Sequence, residues 1–192
     1  FSLPFYKRKH KISFALDFDK YAIETFKHNH PDLINYILND DINNIFKEKN
    51  SLFFNKKYDL VMGGPPCQGF STANRQNILN DPRNILYKKF LKFVEITKPK
   101  YVLIENVLGV KNKAKNILSK LKSLGYASDY RVLQSSDFGI PQNRKRVIFF
   151  AVKDKRFKKK VDYFFEFIEK KSVNKKKYLL KDALYGLRSL KP

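Results

Sequence analysis

The sequence predicts an α/β fold: an open, mostly parallel sheet with helices on both faces. Short apolar runs recur along the chain, and segments with apolar residues at helical spacing separate them. The 192 residues, of which 43% are hydrophobic, suffice for one domain with a core. Strands are predicted at about 12–16, 34–38, 58–62, 101–105 and 146–152, with a further one at 130–133.

The first predicted strand ends in Asp17 and Phe18, and Asp19 is a candidate cap for a helix that reaches Asn29. An acidic residue at a strand end can accept hydrogen bonds from ribose hydroxyls, and an aromatic ring can lie against adenine. A simple helix cap and a core phenylalanine explain Asp17 and Phe18 equally well at this point.

The predicted strand 34–38 ends in Asp40 and Asp41, which a turn with two solvated acids would explain. His28 and His30 precede it as a His-x-His pair. Because no third ligand is nearby, a solvated helix end is the preferred interpretation, and no metal site is expected.

The predicted strand 58–62 runs into Gly-Gly-Pro-Pro-Cys-Gln-Gly-Phe-Ser at 63–71. Glycine tolerates unusual backbone angles and proline supplies no ladder donor, so the strand should end here. The chain's single cysteine, Cys67, then stands past the carboxyl end of a strand, where open α/β sheets place reactive groups. A lone cysteine is more often a small buried hydrophobe, so the thiol by itself indicates little.

Asp81 and Pro82 begin the next predicted helix, in which Leu86 is an apolar position facing the sheet. The strand 101–105 then delivers Glu105 at its carboxyl end. Packing does not explain a glutamate there, because an unpaired buried carboxylate is costly. We therefore expect Glu105 to project into the same cleft as Cys67.

Gly-Ile-Pro-Gln-Asn-Arg-Lys-Arg at 139–146 leads into the last predicted strand. Side-chain alternation places Arg144 and Arg146 on one face of that strand. Two arginines on one face can grip a carboxylate, a phosphate or a base carbonyl. Two solvated arginines at a strand start are the alternative.

Composition indicates the cellular compartment of the protein and the class of its binding partner. Forty Lys and Arg against eighteen Asp and Glu give a net charge of +22, which favours nucleic acid as a partner, although a lysine bias inherited from an AT-rich genome would also explain it. A single cysteine excludes an internal disulfide and fits an intracellular setting. We expect no membrane partner, because no apolar run approaches the length of a span and no signal-peptide pattern is visible.

Taken together, these motifs resemble the cytosine-C5 DNA methyltransferase family. The nine residues 63–71 resemble its nucleophile loop, and Glu-Asn-Val at 105–107 its tripeptide for holding the target base. The run 139–146 resembles a later motif, before which Phe138 stands where tyrosine is commoner. The resemblance covers 16–152 and, weakly, 182–184. It implies a Rossmann-like, S-adenosylmethionine-dependent methyltransferase fold, here incomplete.

The resemblance also implies a reaction and its residues. A methyl group would pass from S-adenosylmethionine to C5 of a flipped cytosine in duplex DNA, through a covalent adduct with Cys67. Glu105 would hold the base, Arg146 its O2 carbonyl, and Arg144 would support the site. The cofactor-binding positions implied, with backbone contributions from the loop, are Asp17, Phe18, Asp41, Ile42, Leu86, Gly64 and Pro66. No metal is implied.

Two parts of the family pattern are not found in this chain: the first strand with its glycine-rich loop, and the recognition domain with the final motifs. We therefore expect a central piece of a larger enzyme. Residues 1–153 would be a partial catalytic, cofactor-binding domain, and 154–192 a basic segment leading towards a target-recognition region.

Alternatives remain on the substrate. The family's RNA-modifying branch is usually written Pro-Pro-Cys-Gln-Pro-Phe-Thr, whereas this chain has Gly69 and Ser71, as the DNA-modifying branch does. Methylation of tRNA cytosine and an inactive, truncated nucleic-acid-binding fragment are the competing hypotheses. For the DNA enzyme we expect a monomer, with a cognate restriction endonuclease as a candidate partner and an epigenetic role as the alternative setting.

Overall fold

A computed structural model describes residues 2–47, 51–66, 86–172 and 178–185. The strands are β1 Ala15–Asp17, β2 Ile37–Asn39, β3 Leu60–Gly63, β4 Tyr101–Asn106, β5 Tyr126–Gln134 and β6 Lys145–Lys153. The α-helices are α1 Leu3–Lys7, α2 Lys20–Asn29, α3 Ile42–Lys47, α4 Ser51–Phe54, α5 Leu86–Thr97, α6 Lys111–Ser123, α7 Lys158–Ser172 and α8 Leu180–Ala183. Within these ranges, no helix is long and apolar enough to cross a membrane.

The described strands form two sheets. β1 and β2 pair in parallel, and the other four strands lie in the order β3-β4-β6-β5. β3 runs parallel to β4, whereas β6 is antiparallel to both of its neighbours. The predicted α/β class is confirmed, with the larger sheet mixed because of β6. The connection 135–144 between β5 and β6 is too short for the helical crossover that two parallel neighbours would need.

Helices cover both faces of the larger sheet, as predicted. Side chains alternate along β4, so Val102 and Ile104 are buried in the main core with α5 and α6. On the opposite face α7 packs through Val161 and Phe165, which are almost fully buried. Burying each of these two side chains stabilises the fold by roughly 1.5–3 kcal/mol.

The predicted cap of α2 is found in the structure. The Asp19 carboxylate accepts hydrogen bonds from the backbone N–H groups of Tyr21 and Ala22, at 2.8 and 3.2 Å. These bonds satisfy donors that the first turn of a helix leaves without intrahelical partners.

The predicted strand 34–38 is wrong over most of its length. Pro31–Tyr36 forms a 3-10 helix, and β2 begins only at Ile37. Pro31 favours this start because its fixed backbone angle suits the first helical position. The solvated position predicted for His30 is also wrong: its ring is buried and stacks on Phe26 at 4.0 Å between centroids, while Nδ1 donates to the Phe26 carbonyl.

Candidate active site

Parallel pairing brings the carboxyl ends of β3 and β4 together. Gly63 lies opposite Ile104, so the next residues along each strand, Gly64 and Glu105, become neighbours. A Cβ atom placed on Gly64 would lie only 3.1 Å from Glu105 Oε2. The backbone leading to Cys67 therefore passes directly against the Glu105 carboxylate. Cys67 itself lies outside the described residues.

Glu105 is paired with the arginines at the start of β6. Antiparallel pairing sets Asn106 opposite Val147, which brings Arg146 to the end of β4. Arg146 Nε lies 2.8 Å from Glu105 Oε1, and Arg144 Nη2 lies 3.9 Å from the same oxygen.

Solvent exposure indicates what this pairing does. The Glu105 and Arg146 side chains are 27% and 24% exposed, and that of Arg144 is 47% exposed. A pair that remains partly exposed to water contributes little to stability, about 1 kcal/mol or less. Its chief effect is to orient a charged carboxylate at the sheet edge, with cationic side chains beside it. Such a group can hold a polar ring and stabilise charge that develops on it.

Asn106 connects this strand end to the loop. Its side chain is buried at 5% exposure, and Nδ2 donates to the Pro65 carbonyl at 2.8 Å. Its Oδ1 accepts from the Val107 N–H at 2.9 Å. The sequence analysis named Asn106 only as the middle residue of the Glu-Asn-Val tripeptide at 105–107 and assigned it no role of its own.

The predicted cofactor residues Asp17 and Phe18 lie at the end of β1. Asp17 is exposed and its Oδ1 accepts from the Asp19 N–H at 3.0 Å. The Phe18 side chain is 70% exposed, so it is not a core residue. Asn39, which the sequence analysis did not single out, donates to the carbonyls of Asp17 and Phe18 at 3.2 and 3.0 Å and joins the ends of the two strands.

Asp41 and Ile42 follow the end of β2. Asp41 is exposed, and its Oδ1 accepts from the Asn43 N–H at 2.7 Å, so it opens α3. Ile42 is half-buried as the first residue of that helix. These residues fit an adenosine group, because exposed carboxylates can accept from hydroxyl or amino groups beside the uncovered Phe18 ring.

The remaining predicted positions are less informative. Leu86 begins α5 and is half-buried, and Pro66 is half-buried at the end of the described loop. The predicted helix start at Asp81 lies outside the described residues. Over the described ranges, no group of three or more His, Cys, Asp or Glu side chains could hold a metal ion.

Comparisons with known proteins agree on one family. A family model described as C-5 cytosine-specific DNA methylase matches residues 1–189. Type II methyltransferase M1.HphI of Haemophilus parahaemolyticus is 35% identical over 162 residues, which are 80% of this chain and 43% of that protein. Type II methyltransferase M.NgoPII of Neisseria gonorrhoeae is 31% identical over 192 residues, 97% of this chain and 53% of that protein. The chain thus spans about half the length of these relatives.

Solved structures show the same similarity. An E. coli prophage protein assigned as a DNA modification methyltransferase has a TM-score of 0.64 at 32% identity, over 79% of this chain and 43% of that one. The Dnmt2 methyltransferase of S. pombe has a TM-score of 0.62 at 21% identity, over 100% of this chain and 52% of that one, and supports the fold alone.

Proposed function

Because the chain belongs to the C-5 cytosine-specific DNA methylase family, we propose that the complete protein methylates C5 of cytosine in duplex DNA with S-adenosylmethionine as the methyl donor. The observation that carries the proposal is the Glu105 carboxylate, held by Arg146 at 2.8 Å and lying beside Gly64 in the loop that leads to Cys67. A base-holding group and a candidate nucleophile thereby belong to adjoining segments.

Cys67 is the nucleophile in this mechanism. Cytosine C5 reacts poorly with electrophiles, but addition of the Cys67 thiolate to C6 forms a covalent bond and makes the ring an enamine that is nucleophilic at C5. Removal of the C5 proton after methylation returns its electron pair to the ring and expels the Cys67 thiolate. The enzyme is thus regenerated.

Glu105 and Arg146 hold the ring during these steps. The Glu105 carboxyl group accepts a hydrogen bond from the exocyclic amine and shares a proton with N3, and that proton stabilises the negative charge that develops on the ring as the thiolate adds. Arg146 holds the O2 carbonyl while its pairing with Glu105 Oε1 fixes the carboxylate. Arg144, on the same side, supports this pair. A base inside a duplex cannot reach these groups, so the target cytosine must be flipped out.

The residues proposed to bind S-adenosylmethionine are those whose side chains suit its adenosine half. Asp17 and Asp41 would accept from hydroxyl or amino groups of the adenosine half, Phe18 and Ile42 would contact the adenine, and Leu86 with the backbone of Gly64 and Pro66 would complete the contacts. S-adenosylmethionine, when bound, supplies an electrophilic methyl group. The chain's own contribution is to set the adenosine at the carboxyl ends of β1 and β2.

The biological setting extends the proposal. Because the relatives are Type II methyltransferases, we propose a restriction-modification role in which methylation protects DNA from a cognate endonuclease. The enzyme would act as an intracellular monomer. Residues 1–153 would form part of its catalytic domain, and 154–192 would lead towards target recognition.

Methyl transfer to duplex DNA and to tRNA, measured side by side with the complete protein, tests this proposal. We expect radioactive methyl groups from S-adenosylmethionine to appear as 5-methylcytosine in DNA and not in tRNA. Incorporation into tRNA alone would identify tRNA, and not DNA, as the substrate. Incorporation into neither would favour the inactive-fragment hypothesis and overturn the proposed reaction.

A further inference from the structure

Two successive residues of the loop lie against two successive residues at the end of β4. Gly64 approaches the Glu105 carboxylate closely, so a Cβ there would lie 3.1 Å from Oε2. Pro65 accepts a hydrogen bond from Asn106 Nδ2 at 2.8 Å. The loop is therefore aligned with the strand end at two adjacent points, one beside the carboxylate and one through a hydrogen bond.

The hydrogen bond matters because of the two prolines. Pro65 and Pro66 have no N–H groups, so their carbonyls are the polar backbone groups by which this part of the loop can be held. Asn106 uses one of these carbonyls. Its own amide is fixed in orientation, because Oδ1 accepts from the Val107 N–H and Nδ2 faces the Pro65 carbonyl. At 5% exposure, such an amide would be costly to leave without partners.

We propose that Asn106 is a positioning residue for methyl transfer: it holds the Pro65 carbonyl and thereby sets the loop that leads to Cys67 relative to Glu105. The inference rests on the proposed function, because it assigns Asn106 a role in that reaction. A purely structural Asn106 would stabilise the end of β4 without affecting the rate of the chemical step.

Asn106→Asp in the complete protein separates these roles. Aspartate keeps the shape and the acceptor for the Val107 N–H, but its ionised carboxylate faces the Pro65 carbonyl without a proton to donate. We expect the single-turnover rate per active site to fall on the order of tenfold at neutral pH, since one hydrogen bond is lost. The dissociation constants for DNA and cofactor should stay within about twofold, because the binding surfaces do not change.

The pH dependence provides a readout that a structural role would not change. A buried carboxyl group has a raised pKa, and its protonated form can donate to the Pro65 carbonyl again. The rate of Asn106→Asp relative to the unmodified protein should therefore rise as the pH falls. Active sites are counted by trapping with DNA that contains 5-fluorocytosine, so that partial unfolding is not mistaken for a slower step.

Matched variants complete the experiment. Asn29→Asp makes the same chemical change at an exposed helix residue whose Nδ2 donates to the Thr25 carbonyl, and it should leave the rate unchanged. If Asn106→Asp yields no soluble enzyme, Asn106→Ser removes the same donor without adding a charge, and it should show the same loss of rate.

The outcomes are distinguishable from failure of the proposed function. An unmodified protein that methylates no DNA would refute the proposed function itself. An active unmodified protein with an Asn106→Asp rate per active site equal to its own, or a relative rate that does not change with pH, would refute only the positioning role.

Discussion

The two ends of the proposed site are built differently. At the end of β4, Glu105 and Arg146 are about three-quarters buried and joined at 2.8 Å, and the loop backbone lies against the carboxylate. At the end of β1, Asp17 is exposed and Phe18 is 70% exposed. The side proposed to hold the base is therefore already organised by its own contacts, whereas the side proposed to bind the cofactor presents groups that a ligand would have to cover.

The difference follows from the sheets that support each end. β4 and β6 pair over six residues of β4, and alternate side chains are buried in the main core. β1 and β2 pair over three residues, and neither Ala15 nor Leu16 of β1 is fully buried. A rigid support favours a site whose geometry decides a rate, because small displacements of reacting groups are costly. Substitutions at the first end should thus change the rate, and those at the second should change binding.

Glu105→Gln should give the largest effect among the substitutions that test this comparison. The amide can still hydrogen-bond the ring but cannot transfer a proton to N3, where negative charge develops in the adduct, so we expect about a 100-fold loss in single-turnover rate with measurable activity left. Cofactor binding, measured by calorimetry, should be unchanged within about twofold. Glu95→Gln is the matched control, because Glu95 pairs with Lys120 at 2.9 Å on the helices and should not affect the rate. A Glu105→Gln rate equal to that of the unmodified protein would contradict the assigned role.

Gly64→Ala and Gly63→Ala should separate activity from stability. A methyl group on Gly64 presses on Glu105 Oε2, which Arg146 restrains through the other oxygen, so we expect a loss of rate of about tenfold with little change in unfolding free energy. A methyl group on Gly63 would lie 2.8 Å from the buried Phe90 ring and should cost about 1–3 kcal/mol of stability. Chemical denaturation measures the unfolding free energy of each variant, and the methylation rate per active site measures its activity. The reverse pattern would show that Gly64 is a packing position.

Asp17→Asn should give the smallest effect, and it should affect binding. The amide keeps one acceptor but loses the charge that strengthens a hydrogen bond from a ribose hydroxyl, so we expect cofactor affinity to fall about three- to tenfold. The methylation rate at saturating cofactor should be retained, and thermal stability should not change, because the side chain is exposed. Unaltered cofactor affinity would remove Asp17 from the proposed binding residues.

Local rules predicted the parts of the fold that local contacts determine. The Asp19 cap depends on residues two and three positions away, and the strand predicted at 101–105 depends on a short apolar run of its own residues. The misplaced strand at 34–38 shows where such rules fail. Apolar residues such as Leu33 and Ile34 suit either a strand or a short helix. Pro31, as the first residue of the segment, favours the 3-10 helix.

Long-range pairing decided what the sequence did not predict. Side-chain alternation placed Arg144 and Arg146 on one face, but their approach to Glu105 depends on the register between β4 and β6. The bond between Asn106 and Pro65 joins residues 41 positions apart. The burial of His30 depends on Tyr6 as well as on its neighbour Phe26. Of these contacts, only the one between His30 and Phe26 follows from the periodicity of a single element.

Covalent trapping tests the central claim most directly. DNA with 5-fluorocytosine at the target position is incubated with the complete protein, because fluorine cannot leave C5 as the proton does and the adduct therefore persists. We predict an adduct that requires S-adenosylmethionine and maps by mass spectrometry to Cys67, and that Cys67→Ser abolishes while DNA and cofactor binding remain. A Cys67→Ser protein that still formed the adduct, or still methylated DNA at the normal rate, would contradict the account.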